Sequence, residues 1–122
     1  MSHIGGNIES IVQVKEVAPD EYQADQVKWN DAFSKCGFLD LLDEGTNFKM
    51  MHRVEDSDYV FLCDYFVPEF EGEKLTTENS RLLIDGEIYE VKLFDDVMRL
   101  HEHLEIYLKY VGGQRSGNGH QR

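Results

Sequence analysis

Residues 81–93 read Arg-Leu-Leu-Ile-Asp-Gly-Glu-Ile-Tyr-Glu-Val-Lys-Leu, two alternating apolar runs joined by Asp85-Gly86. That pair constrains the chain more than any other feature. A two-residue turn with positive φ at both central positions matches the twist of two antiparallel strands, and Asp-Gly is among its preferred sequences. Leu82 and Ile84 before the turn, and Tyr89, Val91 and Leu93 after it, give both strands one apolar face. Leu104, Ile106 and Leu108 repeat the alternation after a polar break. The spacing predicts an antiparallel meander over residues 81–113.

The upstream segments must pack on that meander. Val12 and Val14, separated by Gln13 and followed by Lys15, predict a first strand from Ile8 to about Val17, ended by Pro19, which has no N–H for a ladder. Residues 27–42 place Val27, Trp29, Asp31, Phe33 and Lys35 on one parity. Residues 28–33 have some helical propensity, but Gly37, the aromatic content and the lack of an N-cap favour a strand. Residues 59–67 are almost continuously apolar, as in a strand covered on both faces. Two polar stretches, 43–57 and 68–80, read as long loops. Val97, Leu100 and Leu104 leave room for one short helix between Asp95 and His101. The fold class expected is therefore mainly β, a small β-barrel built on an antiparallel meander with long loops. At 122 residues one domain is expected: a flexible arm over 1–7, the folded domain over 8–113 and a disordered tail over 114–122.

Charge narrows the function classes. With 24 acidic against 12 basic residues, the net charge of −12 argues against a surface that grips nucleic acid. No apolar run approaches the ~20 residues of a membrane span. Cys36 and Cys63, with no signal peptide before them, are expected to be small buried residues in a protein made in a reducing cytoplasm. No cofactor is expected. There is no phosphate-binding Gly-rich loop and no nucleophile elbow. His101 and His103 would share one face of a strand, but no third metal ligand accompanies them and His52 lies on another segment. An enzyme is not expected. Phe48, Met50 and Met51 in a polar loop suit either docking on the chain's own core or insertion into a partner.

The order of blocks resembles the phage head-closure (head–tail joining, or stopper) proteins. Three blocks carry the likeness: residues 29–42, residues 58–65, and the run Arg81-Leu82-Leu83-Ile84-Asp85-Gly86 with Tyr89-Glu90-Val91, followed by residues 104–109 and Gly112-Gly113. The resemblance implies a structural virion protein of a tailed phage or prophage, made in the host cytoplasm and resident at the head–tail interface. It implies a homo-oligomeric ring, typically a dodecamer, contacting the portal or adaptor ring and tail proteins. Such a ring closes the packaged capsid, docks the tail and lets packaged DNA pass without sequence recognition. It also implies assembly contacts from Phe48, Met50, Met51 and His52, a channel-facing acidic loop with Glu55, Asp56 and Asp58, and a scaffold hairpin with Asp85, Gly86 and Tyr89. An acidic channel would repel DNA phosphates and let the duplex slide. Another neck or tail component, such as a tail-terminator or minor capsid protein, has a similar outline. From a different class, an acidic inhibitor or DNA mimic would also use a charge of −12.

Overall fold

In the computed structural model, Asp85 has φ 54° and Gly86 has φ 76°, the two left-handed residues the Asp-Gly turn requires. The structure describes residues 5–19, 25–42 and 57–113. In chain order the strands are β1 (Ile8–Pro19), β2 (Asp25–Leu41), β3 (Tyr59–Asp64), β4 (Glu69–Phe70), β5 (Glu73–Lys74), β6 (Ser80–Ile84), β7 (Glu87–Asp96) and β8 (His103–Gly113). The strand preference over residues 27–42 is borne out by β2, and the meander by β6, β7 and β8.

The expected architecture, a barrel built on the meander and carrying long loops, needs correction. The meander is half of a six-stranded antiparallel sheet in the order β1-β2-β3-β8-β7-β6, and β6 pairs back onto β1. The first hairpin overruns that sheet. β6 covers only Ser10–Val14 of β1, and β3 covers only Gly37–Leu41 of β2. Beyond these limits β1 and β2 continue as a two-stranded ribbon, pairing Lys15 with Trp29 and onward to Pro19 with Asp25. Lys15, Glu16, Val17, Val27 and Lys28 are exposed there, so these positions offer no buried face that would call for a further strand.

The stretch 68–80 is also not a plain loop. Glu71 and Gly72 have φ 52° and 83°, and they turn the chain between β4 and β5, which form a separate two-stranded sheet. The short helix shrinks to a 3-10 turn at Val97–Arg99, and Met98 within it has φ 56°, outside the helical region. Leu100 is exposed and Leu104 enters β8 as a core residue, so the apparent 3–4 spacing there is not a helix face.

The interior holds Val12, Phe61, Cys63, Leu82, Ile84, Tyr89, Val91, Leu104, Ile106 and Leu108. These are the alternating positions of five strands, and their burial is the main favourable term in folding. One end of the interior is lined by Phe33, Phe66 and Phe94, and Phe33 and Phe66 meet edge to face at 5.3 Å. The other end holds Tyr59, Tyr89 and Tyr110. Gly37 marks a close approach of backbones: a Cβ there would sit 2.0 Å from the Leu62 carbonyl oxygen, so no other residue fits without a shift. Cys63 is in the core, as expected, but Cys36 is exposed.

Candidate functional site

A β-bulge decides which side chains share the outer face of β1 and β2. Val12 pairs with Phe33 while Gln13 pairs with Asp31, so Ala32 is the extra residue. The single parity expected for Trp29, Asp31 and Phe33 is thereby split. Phe33 packs on the core, and Trp29 and Asp31 pass to the other face with Gln13. From Gln13 the pairing runs across the sheet to Arg81 on β6, then to Glu90 on β7 and Lys109 on β8. Register alone therefore gathers a polar row on the outside of an apolar core.

Two hydrogen bonds lock the row. Gln13 Nε2 donates to Asp31 Oδ1 at 2.8 Å, and Arg81 Nε donates to Gln13 Oε1 at 2.7 Å. Gln13 is only 4% exposed, so both ends of its amide need the partners they have. The Arg81 guanidinium lies over the Trp29 ring, 4.3 Å from its centroid. Its Nε and its plane are thus set by two strands, while its two terminal nitrogens make no hydrogen bond or ion pair among the described residues. Burial pushes this guanidinium below its ordinary pKa range, the signature of a cation partly stripped of water. A pocket of about 500 Å³ opens beside it, lined also by Lys15, Ile88, Val91 and Val111.

The residues singled out from sequence fall elsewhere. Phe48, Met50, Met51, His52, Glu55 and Asp56 lie outside the described residues. Asp58 is placed, and its carboxylate accepts a hydrogen bond from the Tyr110 backbone N–H at 2.9 Å, bracing the start of β3 against β8. Tyr89 is buried and packs edge to face on Tyr59 at 5.3 Å. Burial, then the neighbouring Tyr59, Glu87, Tyr110 and Asp58, push the Tyr89 phenol upward. Tyr110 donates its hydroxyl to Glu87, which raises its phenol too. These groups tie the hairpin to β8.

His101 does not pair with His103. Its Nδ1 meets Asp96 Oδ2 at 2.5 Å, its ring stacks on Tyr65 at 4.6 Å, and its φ of 57° puts it in the turn before β8. No group of three or more His, Cys, Asp or Glu among the described residues is arranged to hold a metal ion.

Sequence reasoning missed the Gln13–Arg81–Trp29 cluster. Its only linear trace is a Gln between two valines and a lone Arg opening an apolar run. Gln13 and Arg81 stand 68 positions apart, and only strand pairing joins them. Chemically, the cluster is a fixed, partly desolvated planar cation facing a pocket, suited to binding an anion. The chain matches no family model and no curated protein.

Proposed function

We propose that the chain is a structural subunit of the head–tail connector of a tailed phage or prophage, of the head-closure kind. It assembles as a ring with further copies of itself, contacts the portal side and the tail side through its loops, and performs no catalysis. The observation that carries this reading is the agreement between the resemblance and the sheet. The blocks that resemble the family fall on β2, on β3 and on the β6–β8 meander, which are strands of one antiparallel sheet. The net charge of −12 suits a subunit past which DNA must slide. The ribbon of β1 and β2, with Val17 and Val27 about half exposed, offers apolar surface and free strand edges of the kind assembly uses.

The test is genetic and visual. The gene is disrupted in the genome that encodes the chain, and the particles released are examined by electron microscopy. Capsids without tails, which lose their DNA, are the expected result. Tailed, filled and infectious particles from the disrupted genome would overturn the proposal.

A further inference from the structure

We propose that the pocket between β1, β6 and β7 is an acceptor site for a carboxylate carried on a protein chain, bound by the terminal nitrogens of Arg81 with Lys15 beside them. This goes beyond the connector reading and does not depend on it. Arg81 is half-buried, and a guanidinium partly withdrawn from water gains from acceptors that replace its lost hydration. Arg81 uses Nε on Gln13 and its face on Trp29, and its two terminal nitrogens find no acceptor among the described residues. That is notable in a chain with 24 acidic side chains. Glu90 stands directly opposite on β7, yet its carboxylate goes to Lys92 at 3.4 Å. The Lys15 ammonium, on the same pocket, likewise forms no ion pair among the described residues.

The pocket's charge selects the anion. It is lined by three cations, Lys15, Arg81 and Lys92, and two acids, Glu78 and Glu90. With Lys92 and Glu90 paired to each other, Lys15 and Arg81 face Glu78 alone, a net of one positive charge. A monoanion is matched there, and a dianionic phosphate is not. The guanidinium edge also fits the two oxygens of a carboxylate as a planar fork.

Size and lining select the carrier. A volume of about 500 Å³ exceeds what one carboxylate group needs and falls within the range that accepts a larger ligand. Ile88 and Val111 supply apolar wall, suited to the methylene stem and neighbours of an acidic residue in a peptide segment. Any acidic partner chain meets these requirements, a second copy of this one included.

Trp29 is the sole tryptophan of the chain and lies under Arg81, so its fluorescence reports on the site. The full chain is titrated with N-acetyl-glutamate N-methylamide, with its glutamine counterpart and with inorganic phosphate. The protein's own concentration is varied in parallel by sedimentation velocity. A saturable change with the glutamate probe is expected, at least about tenfold weaker in Arg81→Gln and Arg81→Lys, which lack the fork. Lys15→Gln, an exposed residue outside the hydrogen-bonded row, is expected to weaken it by about threefold. Circular dichroism and thermal midpoints confirm that each variant is folded. Self-association that Arg81→Gln abolishes assigns the carboxylate to a second copy, and probe binding by a chain that stays monomeric assigns it to a different partner chain. Either result supports the site. An equal response to the glutamine probe, a stronger response to phosphate, or an unchanged response in folded Arg81→Gln would overturn it.

Discussion

The inside of the closed sheet and the row on its outer face are built from the same strands, one residue out of step, and they follow different rules. Inside, Val12, Phe61, Leu82 and Leu108 are almost wholly removed from water and interact through area and shape. Outside, Asp31, Gln13 and Arg81 interact through two directed hydrogen bonds and a ring face. The interior therefore sets whether the chain folds, and the outer row sets where one cation points. Conservative apolar exchanges should be tolerated inside and irrelevant outside. Loss of one amide should cost less stability than emptying the interior and should disturb the pocket more.

The largest expected effect comes from emptying the interior. Phe61 is fully buried at the centre of β3, between β2 and β8. Phe61→Ala should destabilise the chain by about 3–5 kcal/mol, the transfer and cavity terms together. Urea unfolding followed by tyrosine and tryptophan fluorescence measures it. A loss below about 1 kcal/mol would mean that Phe61 is not packed at the centre of the interior.

Gln13→Leu tests the outer row. It keeps the volume and removes both hydrogen bonds, leaving Arg81 Nε and Asp31 Oδ1 without their partner. The expected cost is about 1–3 kcal/mol in urea unfolding. Trp29 emission should shift as the guanidinium loses its anchor, whereas Phe61→Ala under native conditions should leave that emission nearly unchanged. An unaltered Trp29 signal in folded Gln13→Leu would show that the row does not orient Arg81.

This contrast also explains what could be read from the sequence. The hairpin at Asp85-Gly86, the third strand and the interior positions Leu82, Ile84, Val91, Leu104 and Leu108 follow from a period of two, which is local information. The β4–β5 hairpin was hidden because Glu69-Phe70-Glu71-Gly72-Glu73-Lys74 is polar and short, and charge masks the turn chemistry of Gly72. The change of face at Ala32 was hidden because a bulge leaves no mark on periodicity until the partner strand is known. The pocket depends on that bulge and on a pairing between distant strands. The main strands were thus legible, and their closure with β1, the β4–β5 hairpin and the site were not.

Titration separates the two regions at a smaller scale. Burial is the main cause that pushes the Cys63 thiol from 9.0 up to about 12; the nearby Lys35 opposes it slightly and Asp64 adds to it. The folded chain therefore keeps this proton where the unfolded chain has lost it. The contribution is fully present below about pH 9 and falls as pH rises toward 12, on the order of 1 kcal/mol per pH unit. Cys63→Ala should flatten the alkaline fall in the urea midpoint by that amount. The buried tyrosine Tyr89 adds a slope of the same sign to both proteins, so the difference between them isolates the thiol. Parallel alkaline curves for the two proteins would contradict a protonated, buried Cys63.

The smallest expected effect compares two turns of the same chemistry, one within the closed sheet and one outside it. Asp85-Gly86 and Glu71-Gly72 both place two residues at positive φ, and a Cβ at either glycine would meet nothing within 4 Å. Alanine at Gly86 or Gly72 therefore introduces nearly pure backbone strain, about 1 kcal/mol at each. The consequences should differ. Gly86 joins β6 to β7 inside the sheet that the interior depends on, so Gly86→Ala should lower global stability by the full amount. Gly72 closes a ladder of only two residue pairs, which can open locally while the main sheet stays intact. Gly72→Ala should leave the urea midpoint almost unmoved and speed hydrogen exchange at the β4–β5 amides instead. An equal loss of global stability in both variants would place β4–β5 in the same cooperative unit as the interior, and the division between inside and outside would then fail at that edge.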